Sequence, residues 1–252
     1  MYPNIEDWDL FTQRVERVCS AITESISNPE GSKRVASVDE KTGIQALYRK
    51  QEPMQPGKCK RMEVTYERNG TTTLIAAQDV GTGVFIHGLL GPTRTEEDFL
   101  LLIEGLVTKT SKIPKYKELV IIADQLNTHK SASLVEYIAK EIGYEGDLGK
   151  KGTKGILKSM DSRQAFLEDT NHRVRMLYTP KHCSWLNPIE NWFGILQRHV
   201  IRRGSFASVK ELENRIRDWI NYYMECLTKP LNWKFKGFNK GKPLEYLTMH
   251  KT

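Results

Sequence analysis

The chain has 252 residues, 39% of them hydrophobic and 27% charged, and its 38 Lys+Arg against 31 Asp+Glu leave a net charge of +7. That balance describes a globular protein with a sizeable core and excludes a disordered chain, a collagen, a coiled coil and a disulfide miniprotein. No run approaches the roughly 18 apolar residues of a membrane span, and MYPNIEDWDLF lacks the basic-then-apolar layout of a secretory signal. The four cysteines (19, 59, 183, 226) form no C-x-x-C pair, so they read as reduced thiols. Six acids and two arginines in residues 1–30 leave the remainder more basic than the whole, which favours a polyanionic partner.

Residues 5–27 read as one amphipathic helix, with Trp8, Phe11, Val15, Val18, Ile22 and Ile26 along a single face. Residues 34–39 read as a short strand ending in Asp39, and 42–49 as its hairpin partner across a tight turn. Residues 50–70, rich in charge, proline and glycine, form an excursion. Strands follow at 71–80 and 84–90, then a helix opened by a capping box at Thr93–Glu96. The apolar run Leu119–Ala123 suits a strand buried on both faces, and it stops abruptly at Asp124. A helix over 130–142 leads into an insert, 144–171, with glycines at every third position and Lys150, Lys151, Lys154 and Lys158, read as a flexible basic loop. Strand 174–178 and helices at 187–202 and 208–224 complete an α/β fold with a mixed sheet.

Three acids stand where chemistry is expected. Sites in open α/β sheets form beyond the carboxyl ends of strands, where Asp39 and Asp124 fall. Two carboxylates side by side repel and favour a divalent cation, and their hard oxygens suit Mg²⁺ or Mn²⁺. Glu190, in the first turn of the next helix, is the third candidate. Each has a plainer reading: Asp39 as a turn residue, and Glu190 as the N3 member of a capping box begun by Asn187. No H-E-x-x-H, G-x-S-x-G or P-loop pattern occurs, which disfavours catalytic zinc, a serine nucleophile and a nucleotide cofactor.

The segments SVDEKTGIQAL (37–47), IIADQLNTHKS (121–131) and VRMLYTPKHCSWLNPIENWFGIL (174–196), with the tail KPLNWKFKGFNKGKPL, resemble bacterial insertion-sequence transposases of the mariner superfamily. The resemblance implies an RNase H-like mixed five-stranded sheet flanked by helices. The chain then divides into the N-terminal amphipathic helix, 1–30, and the catalytic domain the resemblance implies, 31–252, with inserts at 50–70 and 144–171. The resemblance matches Asp39, Asp124 and Glu190 to the family's metal-binding DDE triad, and gives Asn127, His129, Asn187 and Trp185 supporting places. It further implies two Mg²⁺ or Mn²⁺ ions, cleavage at element ends, and strand transfer into double-stranded DNA at TA sites. A homodimer in the DNA complex and a cytoplasmic, nucleoid-associated location go with it. Lys58, Lys60, Arg61, Lys150, Lys151, Lys154 and Lys158 are candidate phosphate contacts.

Two departures stand out. The 65 residues between Asp124 and Glu190 are about twice the family's usual spacing, and only one helix precedes the core, where relatives carry helix-turn-helix domains. The alternatives are an RNase H-like nuclease of another class and a non-catalytic DNA-binding protein derived from a transposase.

Overall fold

A computed structural model describes residues 7–49 and 65–238. Five strands form one sheet in the order β3-β2-β1-β4-β5: β1 (Lys33–Tyr48), β2 (Glu67–Asp79), β3 (Phe85–Gly91), β4 (Glu118–Ala123) and β5 (Val174–Tyr178). The first three run antiparallel, and β4 and β5 lie parallel to β1. Six helices surround the sheet: α1 (Trp8–Ser27), α2 (Glu96–Ser111), α3 (Ala132–Ile142), α4 (Met160–Leu167), α5 (Ile189–Leu196) and α6 (Val209–Tyr222). No helix among the described residues is long and apolar enough to cross a membrane.

The apolar patterns account for the layers. Ala36, Val38 and Ile121 bury one face under α2 and α3. Val35, Val120 and Ile122 bury the other under Val15, Val18, Cys19 and Ile22 of α1. Farther along β1 and β2, Ile44, Ala46, Leu74 and Ala76 pack beneath α5 and α6 around the buried Trp192. Leu231, Trp233, Phe235 and Phe238 pack against the α1 cluster, and the Phe11 and Phe238 rings stand 6.0 Å apart. At the far end of β1, Arg34 donates to Asp79 at 2.8 Å, both side chains buried.

Several local expectations need correction. The hairpin at 34–49 does not form. These residues are a single strand, and Gly43, at φ 62°, sits where the register shifts between Lys41 and Ile44. A positive-φ glycine in an antiparallel pair serves a bulge as readily as a turn. Residues 67–70, assigned to the excursion, belong to β2. The capping box lies two residues later, between Thr95 and Asp98.

The 144–171 insert is built rather than a loose loop. Gly149, at φ 84°, packs so closely on the Lys154 carbonyl that a Cβ there would come within 2.1 Å. Ser159 caps α4, and Leu157, Phe166 and Leu167 are buried in the core. Helices α5 and α6 each end in a π-helical turn, at Gln197–Ile201 and Tyr223–Leu227.

Candidate active site

The β1–β4 register brings two of the three acids together. Ser37 pairs with Ile122, the last pair of the parallel ladder. Two residues further along each stand Asp39, in β1, and Asp124, one residue beyond the end of β4; neighbouring strands lie about 4.8 Å apart. Asp39 lies within β1 rather than at its end, because β1 runs on beside β2. Its carboxylate accepts from the Glu40 amide at 2.8 Å and from Asn187 Nδ2 at 3.0 Å. Burial pushes the Asp39 carboxyl up to about 7; the Glu40 amide opposes this, and the charges of Asp124, Glu40 and Glu190 add to it.

Glu190 arrives through a network that sequence reasoning missed. Asn187 is fully buried, and its side chain does not cap α5. Instead Nδ2 donates to the Val38 carbonyl at 2.9 Å as well as to Asp39, and Oδ1 accepts from the Ser37 hydroxyl. Ser37 Oγ in turn accepts from the Ile189 amide at 2.9 Å. The first turn of α5 is thus fastened to β1 two residues from Asp39. The capping reading of Glu190 fails here, since Asn187 is engaged elsewhere. The Glu190 side chain is exposed, with no hydrogen bond or ion pair among the described residues. A signal for Ser37 exists in the sequence: strand alternation puts it on the same face as Asp39.

Asp124 is held from behind. Its Oδ1 receives the Leu126 amide at 3.0 Å and lies 2.8 Å from His129 Nδ1. His129, with 0% exposure, turns its Nε2 to Glu40 Oε1 at 2.9 Å, where the Glu40 side chain is 3% exposed. The ring stacks on Phe99 at 4.0 Å. Burial opposes a charge on this imidazole, but the hydrogen bonds and charges of Asp124 and Glu40 outweigh it and raise its pKa to about 9. For Asp124, burial raises the pKa, and the His129 bond and charge, the Leu126 amide and Lys130 together bring it below the ordinary value. Glu40 is the second residue missed in the sequence. Alternation sends it to the opposite sheet face from Asp39, where it meets His129.

The remaining candidates are dispersed. Asn127 is exposed at the start of a short 3-10 turn just beyond Asp124. Trp185 is half exposed and meets the Phe235 ring edge-on at 5.1 Å. Lys150, Lys151 and Lys154 are exposed on the insert, with Lys154 3.3 Å from Asp147, and Lys158 ends its short 3-10 turn. Lys58, Lys60 and Arg61 lie outside the described residues.

The donor set suits a hard divalent cation. Asp39 carries an anion its surroundings do not balance, since Asp124, Glu40 and Glu190 add negative charge around it. As they stand, no three His, Cys, Asp or Glu side chains among the described residues close around a common point. The open member is Glu190, whose side chain is exposed and unbonded.

The chain belongs to the DDE superfamily endonucleases, whose family model matches residues 34–213. Its fold matches that of Mos1 transposase chains. It is similar to the Mos1 mariner paired-end complex with Mn, with TM-score 0.52 and 15% identity over 89% of this chain and 60% of that one. The Mos1 paired-end complex with left transposon end gives TM-score 0.54 and 13% identity, again over 89% and 60%. The Mos1 strand transfer complex gives 0.52 and 14%, over 89% and 59%. The chain thus spans about 60% of the length of the Mos1 chains it matches. Curated protein sequences give no match. The mixed five-stranded sheet with flanking helices, an RNase H-like fold, is the one the sequence implied.

Proposed function

We propose that this chain is the catalytic domain of a DNA transposase of the insertion-sequence type. It would cleave strands at the ends of an element and join the 3′ ends to target DNA, with TA as the target step. The observation that carries the reading is the nearness of Asp39, Asp124 and the α5 start beside the carboxyl end of β4, an interior strand, with the Asp39 carboxyl pushed up to about 7 by burial and by neighbouring anions. Membership of the endonuclease family and the match to Mos1 paired-end and strand transfer complexes support it.

Asp39, Asp124 and Glu190 would hold Mg²⁺ or Mn²⁺. When bound, such a pair of ions activates a water or 3′-hydroxyl and stabilises the leaving oxygen of a phosphodiester. The protein's own part is orientation. Asn187 and the Glu40 amide fix the Asp39 carboxylate. His129 and the Leu126 amide fix that of Asp124. Both keep lone pairs aimed outward only if these partners stay in place. Glu190 completes the set by rotating its side chain from solvent. Asn127, exposed beside Asp124, is placed to bond a substrate phosphate. The insert lysines contribute attraction to the DNA backbone without sequence information. A homodimer in the complex with DNA completes the proposal, and the match to the Mos1 paired-end complexes supports it.

Nicking of supercoiled plasmid in Mn²⁺ by the wild type and by Asp124→Asn tests this reading. Activity in the wild type that disappears in the variant, with DNA binding retained, supports it. Equal activity in both removes Asp124 from the mechanism.

A further inference from the structure

Beside Asp124 opens a cleft of about 530 Å³ that none of the residues discussed so far explains. Four segments wall it: the start of α1, the turn after β4, α4, and the turn after β5. The α1 wall lies outside the family-matched residues 34–213. Its lining includes three cations, Arg14, Lys130 and Lys181, and the apolar Leu10, Phe11 and Met160, with Arg14 one helical turn from Leu10 and Phe11 on the α1 wall.

The three cations make no ion pair with a described residue. Lys130 is the telling member. It is 93% buried, yet its ammonium meets only neutral acceptors, Gln125 Oε1 at 3.2 Å and Gln164 Oε1 at 2.8 Å, and the Tyr178 ring at 5.1 Å. A buried lysine ordinarily finds a carboxylate. Here burial lowers its pKa; the nearby anions Glu168 and Asp161 act against this without bonding the ammonium, and two further cations, Arg14 and Lys181, add to it. Two acids share the walls, but Asp7 is engaged as the N-cap of α1 and Asp161 lies in the first turn of α4, each beside a helix N-terminus that offsets its charge.

We propose that this cleft binds one unpaired nucleotide of a DNA strand running past Asp124, its phosphate among Arg14, Lys130 and Lys181 and its base against Leu10 and Phe11. Naming the ligand as a DNA strand rests on the transposase reading; the anionic, part-apolar chemistry does not. The volume falls within the roughly 300–1,000 Å³ of small-ligand pockets, large enough for a nucleotide and far too small for a duplex. Gln125 and Asn127 line the cleft within three residues of Asp124, so the bound nucleotide is an immediate neighbour of the proposed scissile position. An apolar platform beside a cationic track is how single strands are held without sequence preference.

The test is binding of fluorescein-labelled d(T)6 in EDTA, across a range of salt, to the wild type and to Arg14→Ala/Lys181→Ala, two side chains at the cleft surface. Each lost phosphate contact lowers the slope of log K against log salt by about 0.7. The double variant strips two of the three cations from that one phosphate, so it is expected to lose about 0.7 in slope and to bind roughly tenfold more weakly, with duplex binding unchanged and dTMP a poor competitor. Phe11→Ala is expected to lose affinity with no change of slope. No binding by the wild type, an unchanged slope in the double variant, or an equal loss of duplex binding overturns the proposal. Displacement by dTMP at the same affinity as d(T)6 overturns the strand assignment. These readings need no chemistry, so they remain valid if plasmid nicking fails and the transposase reading falls.

Discussion

Asp39→Asn separates the cost of a buried charge from the shape of the side chain. The Asp39 carboxyl titrates at about 7 in the folded chain against an ordinary 3.8. Below pH 3.8 both folded and unfolded states are protonated and folding carries no penalty. Between 3.8 and 7 the unfolded chain ionises first, so stability falls as pH rises, and above 7 the loss is complete. At 1.36 kcal/mol per unit the full loss is roughly 4 kcal/mol, of which roughly 2–3 develops between pH 5 and pH 8. Asparagine escapes this, but it turns an NH₂ toward Asn187 Nδ2, at a cost of about 1–3 kcal/mol that does not vary with pH. The quantity to read is therefore the change, with pH, in the stability difference between variant and wild type. Urea unfolding in EDTA, followed by tryptophan fluorescence at pH 5 and pH 8, is expected to show Asp39→Asn gaining roughly 2–3 kcal/mol on the wild type across that span. At about 2–4 °C per kcal/mol this is roughly 4–12 °C in Tm. Adding Mn²⁺ at pH 8 is expected to return about 2.7 kcal/mol to the wild type at a hundredfold excess over Kd, and little to the variant. A stability difference that stays constant with pH to within about 0.5 kcal/mol refutes the reasoning, because the ionisation then costs nothing.

Further perturbations probe the surrounding parts. In Glu40→Gln the His129 ring loses one of its two anionic partners, and its proton NMR titration is expected to move down from about 9; an unmoved titration contradicts the bridging geometry. His129→Ala leaves Glu40 buried without a counter-charge and is expected to cost roughly 3–5 kcal/mol in urea unfolding. Asn187→Ala orphans the Ser37 hydroxyl and the Val38 carbonyl, an expected loss of roughly 2–4 kcal/mol; a loss below about 1 kcal/mol would mean that α5 is not held through this side chain. Gly149→Ala collides with the Lys154 carbonyl, so trypsin is expected to cut at Lys150, Lys151 or Lys154 much faster than in the wild type, and equal rates would mean that the insert is not fastened there.

The β4 strand was legible because five apolar residues end at a single acid, and no helix of that length would serve. Asp39, Asp124 and Glu190 could be singled out from strand ends and a helix start, but what brings their segments together was hidden in pairing and packing. Asn187 looked like a cap because Pro188 and Glu190 follow it at capping spacing. Only the packing of the α5 start on β1 reveals that its amide belongs to Ser37, Val38 and Asp39. Glu40 was invisible for the same reason, since its partner lies 89 residues away on another element. The glycine every third residue concealed α4, whose eight residues carry too weak an apolar face to announce a helix. Gly43 was read as a turn because a positive-φ requirement looks identical in a hairpin and in a bulge.

The contact between Phe11 and Phe238 has a bearing on how the chain is made. Phe11 leaves the ribosome well before Phe238, so part of what shelters the apolar side of α1 comes later. At about 5–20 residues per second, the 227 positions separating those rings take roughly 10–45 s to synthesise. Throughout that interval Phe11 and its neighbours lack their final lid, which makes the nascent amino-terminal segment a natural client for a holdase. The closing stretch, once released, works as a latch.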